Sequence, residues 1–210
     1  MSLLLFLSFL TAQRLYPVGG QQLKPVRKPG TYAVFDTSMG SFVCEIYEKQ
    51  APVAAANFIG LVEGTKEWLT TKGDFVKRPF YNGLTFHRVI KKFAIQSGDI
   101  TGTGRNFQAV IPFENEIVPS LTFDQSGILA MANNGPKSNI TQFFITVAPA
   151  PNLNGRYTVF GKVVSGYDVV VNISNVPVLG SKPVKDVILQ KVTIDRGVKK
   201  ESSPEQVPSQ

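Results

Sequence analysis

His87 is the only histidine and Cys44 the only cysteine among 210 residues, so most covalent and metal chemistries have a single place to stand. A Ser-His-Asp nucleophilic site would have to run through His87 as its base. No G-x-S-x-G elbow is present to supply the serine. A structural zinc site needs a Cys/His cluster that these counts exclude, and a lone cysteine forms no internal disulfide. Gly102-Thr103-Gly104 opens like a dinucleotide fingerprint, but Phe107 takes the place of the third glycine. What remains are polar side chains set into apolar, β-like runs: Arg88 within Phe86-His87-Arg88-Val89-Ile90, Gln96 after Phe93-Ala94-Ile95, and Gln142 before Phe143-Phe144-Ile145. Strand alternation puts Phe86 on the face of Arg88 and His87 on the other. An arginine beside aromatic surface either snorkels along it or offers its guanidinium to a ligand.

The elements that must hold these residues are mostly short strands. Tyr32 to Phe35 and Phe42 to Tyr47 predict a hairpin turning at Ser38-Met39-Gly40. The clearest helix follows: Pro52 suits a first turn, and Ala55, Phe58, Ile59 and Val62 keep helical spacing. Gly64 is placed to end it, and Gly60 inside it predicts a close packing contact. After a polar stretch from Trp68 to Lys77, β-like runs resume at Leu84 to Ile90, Phe93 to Gln96, Gly127 to Met131, Gln142 to Val147, Thr158 to Val164 and Val184 to Ile194. Tyr167 to Ile173 is open between strand, for its three valines, and helix, for its position after Gly166. Many short strands with Gly-rich turns and few helices predict a sandwich or a closed barrel.

A hydrophobic content of 43% with 18% charged residues suits one globular domain. Lys and Arg number 22 against 15 Asp and Glu, a formal charge of +7. The basic residues are scattered, with no basic helix or aromatic-interleaved stripe, so a solvated surface is expected and nucleic acid is not. Leu3 to Leu10 is apolar except for Ser8, far short of the roughly 20 residues that span a bilayer. Its length fits a signal-peptide core cleaved after Ala12, which favours export to a periplasm or medium. A misplaced start or a buried N-terminal segment would leave the chain cytoplasmic. The expected division is 1–28 leader and linker, 29–196 one domain, and 197–210 a disordered tail.

Three blocks in order carry a family resemblance: Phe86 to Ile90 continuing to Asp99; Gly127-Ile128-Leu129-Ala130-Met131-Ala132-Asn133; and Ser138 to Ile145, followed by Leu153-Asn154-Gly155 and Val159 to Val163. Together they resemble the cyclophilin family of peptidyl-prolyl cis–trans isomerases, over roughly Pro29 to Arg196. The resemblance implies a mainly β fold, a closed eight-stranded antiparallel barrel capped by two helices. Its implied activity is rotation about X–Pro bonds, assisting the folding of proline-containing polypeptides with no cofactor or metal. Taken alone, Phe93, Phe144 and Leu153 read as core residues, and Arg88 and Gln96 as surface polar groups. The resemblance implies catalytic roles for Arg88 and Gln96. It makes Phe93, Ala94, Phe144 and Leu153 a proline pocket, with Ala132, Asn133, Gln142 and Tyr157 binding the flanking peptide. It also makes His87 a structural residue, hydrogen-bonded beneath the barrel surface.

Departures from the family pattern bear on ligands. Asn152 stands where many members have Trp, Tyr157 where they have His, and Ala94 where they have Met. Asn152 offers neither indole surface nor its N–H, so tight cyclosporin binding is not expected. A monomer is expected. A module of another class, binding proline peptides without turning them over, would keep the barrel but need not keep Arg88, Phe93, Gln96 and Phe144.

Overall fold

The computed structural model describes residues 28–105 and 107–197. The expected leader at 1–12, most of the linker and nearly all of the tail lie outside them. The chain opens with the predicted hairpin, β1 (Thr31–Thr37) and β2 (Gly40–Ile46). Thr37 Oγ1 closes its turn, donating to the Gly40 carbonyl at 2.7 Å and accepting from the Met39 N–H at 3.0 Å.

Helix α1 (Pro52–Glu63) follows. Ala51 before it has no side chain to cap the first turn. The free N–H groups of Val53 and Ala54 instead donate to the two carboxylate oxygens of Glu116, at 3.0 and 2.7 Å. An acid here also complements the positive end of the helix dipole. At the other end Gly64 has φ 73°, and a Cβ there would lie 2.6 Å from the backbone of Arg78 and Pro79. Only glycine meets both demands. Gly60 lets Lys66 Cβ approach to within 3.0 Å of where its own Cβ would be, the contact its place in the helix predicted.

The polar stretch holds a small hairpin, β3 (Trp68–Leu69) with β4 (Phe75–Val76). Trp68 is buried, its Nε1–H donating to the Arg78 carbonyl at 2.9 Å beneath the Arg78 guanidinium. The expected strand Leu84 to Ile90 divides into β5 (Leu84–Thr85) and β6 (Arg88–Ile90). Then come β7 (Ala94–Ser97), β8 (Ile128–Met131), β9 (Phe143–Thr146), a 3₁₀ turn (Pro151–Leu153) and β10 (Val159–Ser165). The ambiguous valine segment is helix α2 (Tyr167–Ser174). Gly166 at φ 71° ends the preceding strand, Asp168 sits in the first turn, and Val170 and Ile173 face inward at helical spacing. A second small hairpin, β11 (Val178–Leu179) and β12 (Lys182–Pro183), precedes β13 (Ile188–Arg196). That last strand starts four residues later than its apolar run suggested.

Nine strands form one antiparallel sheet in the order β5-β13-β1-β2-β10-β8-β9-β7-β6. Its edge strands β5 and β6 are the two halves of one expected strand, so the expected eight are recovered. Only Phe86-His87 joins them, and the sheet is therefore strongly curled. No hydrogen-bonded ladder links its two edges, so the expected closed barrel is an open, half-barrel curl among the described residues. Both residues are buried, Phe86 at 1% and His87 at 6% exposure, and Phe86 joins the interior cluster that also holds Val89. Alternation is thus interrupted, and Phe86 does not share the face of Arg88; that expectation was wrong.

Inside the curl, Val89, Ile95, Ile145 and Leu129 pair from strand to strand and are buried. Aromatic rings fill the centre: Phe35 stacks on Phe42 at 4.7 Å, and Phe58 meets Tyr81 at 5.0 Å and the edge of Phe143 at 5.9 Å. Such pairs add about 0.5–1.5 kcal/mol each beyond the area they bury. This rigid interior fixes the register of the outer face.

Candidate active site

Arg88 on β6 lies opposite Gln96 on β7, which lies opposite Phe144 on β9, then Ala130 on β8 and Val159 on β10. One cross-strand row therefore runs over the outer face from an exposed cation to a buried apolar patch. Side chains two apart along a strand share a face, so Ala94 joins the row. A second apolar cluster of Ala94, Phe123, Ala130, Phe144, Leu153 and Val159 forms there, separate from the interior core.

A cavity of about 310 Å³ opens beside this cluster. Arg88 and Gln96 line its polar side, and Phe93, Ala94, Phe144 and Leu153 its apolar side. Ala132, Asn133 and Tyr157 complete the lining predicted from sequence. The Phe144 ring is braced by a parallel Phe123 at 5.8 Å and by the edge of Tyr157 at 5.4 Å. Leu153 comes from the 3₁₀ turn, which Asn154 Oδ1 ties down by accepting the Phe123 N–H at 2.7 Å.

The polar side is a short relay. Arg88 Nη1 donates to Gln96 Oε1 at 3.2 Å, and Gln96 Nε2 donates to Gln142 Oε1 at 2.8 Å. Gln142 does not line the cavity; it is buried and orients Gln96 from behind. Apart from Gln96, Arg88 has no hydrogen-bond partner among the described residues, so most donors of its planar fork are free. On the far side the Ala132 N–H is taken by the Gln142 carbonyl at 2.9 Å. Asn133 is pinned through Nδ2 to Asn115 Oδ1 at 3.0 Å, while no described residue accepts from its backbone N–H.

Gly104 and Asn134 also line the cavity and were not anticipated. Asp99 holds Gly104 in place. Its buried carboxylate accepts the N–H groups of Thr101, Thr103 and Gly104 at 2.7 to 3.0 Å. The Asp-x-Thr-x-Thr pattern is a recognisable local signal for such a turn. His87 lies beneath Gly104 and, against expectation, neither ring nitrogen finds a hydrogen-bond partner among the described residues. Burial holds its pKa below the ordinary value, outweighing nearby Asp99 and Gln142, which favour the charged ring; Arg88 adds to the lowering. Cys44 is wholly buried and its thiol is pushed well above its usual pKa, so it is no nucleophile.

An apolar notch beside a guanidinium with free donors can take up an apolar ring and offer hydrogen bonds to the amide attached to it. Comparison with known proteins identifies a family. The family described as "Cyclophilin type peptidyl-prolyl cis-trans isomerase/CLD" matches residues 32–194. Peptidyl-prolyl cis-trans isomerase-like 1 of Aspergillus fumigatus is 41% identical over 171 residues, covering 80% of this chain and 98% of its own. Peptidyl-prolyl cis-trans isomerase A of Mycobacterium tuberculosis is 42% identical over 166 residues, covering 77% and 91%. A crystal structure of a cyclophilin type isomerase from Cryptosporidium parvum superimposes with a TM-score of 0.69 at 34% identity, covering 79% of this chain and 97% of its own. That enzyme has also been crystallised in the presence of the dipeptide Ala-Pro. With its fold and most of its length shared with these isomerases, the chain belongs to the cyclophilin-type peptidyl-prolyl cis–trans isomerases.

Proposed function

We propose that the chain grips the proline of a polypeptide in the notch of Phe93, Ala94, Phe144 and Leu153 while Arg88 stabilises the preceding amide as it twists. Rotation about this bond faces a barrier of about 18–20 kcal/mol, which at the upper end corresponds to a rate of about 0.01 per second. No bond is made or broken, so neither nucleophile nor cofactor is required. Twisting removes conjugation, and the prolyl nitrogen becomes a hydrogen-bond acceptor only then. A donor aimed at that nitrogen binds the transition state better than either planar isomer.

The observation that carries this reading is the Arg88–Gln96–Gln142 relay at the lip of an apolar notch. Gln96 holds one guanidinium nitrogen and leaves others for substrate. Gln142 fixes Gln96, so the arrangement exists before substrate arrives. The Asn133 backbone N–H receives the residues before proline as an extended strand. Clients are proline-containing polypeptides whose folding waits on isomerisation. The apolar N-terminal run at Leu3 to Leu10 supports their being exported proteins.

Exchange between cis and trans forms of an X–Pro tetrapeptide, followed by NMR with wild type and Arg88→Ala, tests the assignment. Removing one transition-state donor costs about 10²–10³ in rate. Arg88 is exposed, so the variant should fold normally. A folded Arg88→Ala protein with near-normal exchange would show that Arg88 is not the donor. Binding of the peptide without acceleration by wild type would leave a binding module instead.

A further inference from the structure

A second cavity, of about 490 Å³, adjoins the proline notch and shares Asn133, Asn134 and Tyr157 with it. It continues past Asn134 to Pro136 and is walled on the far side by Arg156. The carboxamides of Asn115 and Asn133 are already committed. Asn115 Oδ1 accepts from Asn133 and Asn139, at 3.0 and 2.8 Å, and Asn115 Nδ2 donates to the Arg156 carbonyl at 2.9 Å. Arg156 is therefore anchored at its backbone, while its exposed guanidinium has no ion pair among the described residues.

Among the described residues no carboxylate lines either cavity, whereas each has a guanidinium, Arg88 in one and Arg156 in the other. The acids beside Asn115 in the chain are spoken for. Glu114 pairs with Lys137 at 2.7 Å, and Glu116 accepts from the first turn of α1. A substrate thus meets a cationic cleft whose nearby negative charges are engaged elsewhere. Complementarity of this kind selects partners more than it adds affinity.

We propose that the second cavity receives an acidic side chain of the substrate, on the N-terminal side of the isomerised proline, with Arg156 as its counter-charge. The placement rests on the proposed binding of residues before proline at Asn133, because the cavity begins there and leads away from the notch. Arg156 is then a specificity determinant and takes no part in the rotation.

The test uses hexapeptides identical except for Glu, Ala or Lys at the second or third residue before proline. Dissociation constants come from NMR titration and isomer exchange rates from the same samples, for wild type, Arg156→Glu and Arg156→Gln. At low salt, wild type should bind a Glu peptide at least about threefold more tightly than its Lys counterpart, a margin within that of exposed ion pairs. Arg156→Glu should reverse the order, Arg156→Gln should abolish it, and added salt should compress it. Equal binding of Glu and Lys peptides by wild type overturns the proposal, as does a preference that survives both substitutions. Binding is read apart from exchange, so the two readings fail separately. Selective binding without acceleration defeats only the catalytic assignment, and acceleration without charge preference defeats only this one.

Discussion

Arg88 and Gln96 face each other across adjacent antiparallel strands, and the guanidinium of the first donates to the carboxamide oxygen of the second at 3.2 Å. The pair couples a group that must be free to act with one that limits where it can go. Gln96 is in turn held by Gln142, on the segment leading into β9.

The two residues should therefore not contribute independently. Gln96→Ala is expected to lower kcat/KM by roughly tenfold, since it loosens Arg88 without removing it. Added to Arg88→Ala, it should cost much less than it does alone, because contacting residues give non-additive effects. A double-mutant cycle on X–Pro exchange measures this, and full additivity would contradict the relay.

Phe144 both lines the notch and holds the outer cluster together through Phe123 and Tyr157. Truncation to alanine would cost about 3–5 kcal/mol of stability, enough to obscure any effect on binding. Phe144→Leu keeps most of the volume. It should raise KM for proline peptides several-fold with a smaller change in kcat, while the denaturation midpoint falls only modestly. Steady-state kinetics beside a urea titration separate the two.

Glu116 reaches α1 from 62 residues away to accept two N–H groups that nothing local can satisfy. Glu116→Gln keeps one acceptor and loses the charge; Glu116→Ala loses both. Stability should fall by about 0.5–2 kcal/mol in the alanine variant and by less in the glutamine variant, as for other helix N-terminal caps. Chemical denaturation followed by circular dichroism gives the comparison.

His87 is buried, and burial lowers its pKa from the ordinary 6.5. The unfolded chain then binds a proton more readily than the folded one between those two values. Stability from this group is complete above about pH 6.5 and declines as pH falls below it, until the folded-state pKa is passed. Denaturation midpoints measured from pH 7.5 down to pH 5 should fall for wild type. They should fall less for His87→Gln, and identical pH profiles would remove His87 as the source.

Much of the molecule can be read from its residues because the deciding signals are local. Pro52, the spacing of Phe58 and Val62, and Gly64 mark α1 almost to the residue. The three sequence blocks place every residue assigned to the notch at its lining. Long-range features leave no such trace. The row from Arg88 to Val159 depends on the register of five strands, and the α1 cap on a carboxylate from a distant loop. Trp68 sits in a stretch polar enough to suggest solvent, yet is buried by a turn too short to show periodicity. At Phe86-His87 the strand alternation fails because the chain must cross from one sheet edge to the other.

The position of β13 has a temporal consequence. The last strand to leave the ribosome lies between β1, the first, and β5, with Thr31 paired to Arg196. A nascent chain therefore cannot complete its sheet until almost the whole domain has been synthesised, and the loops closed by then are long. The enzyme must itself remain unfinished during translation, with one edge of β1 unpaired until the last strand arrives.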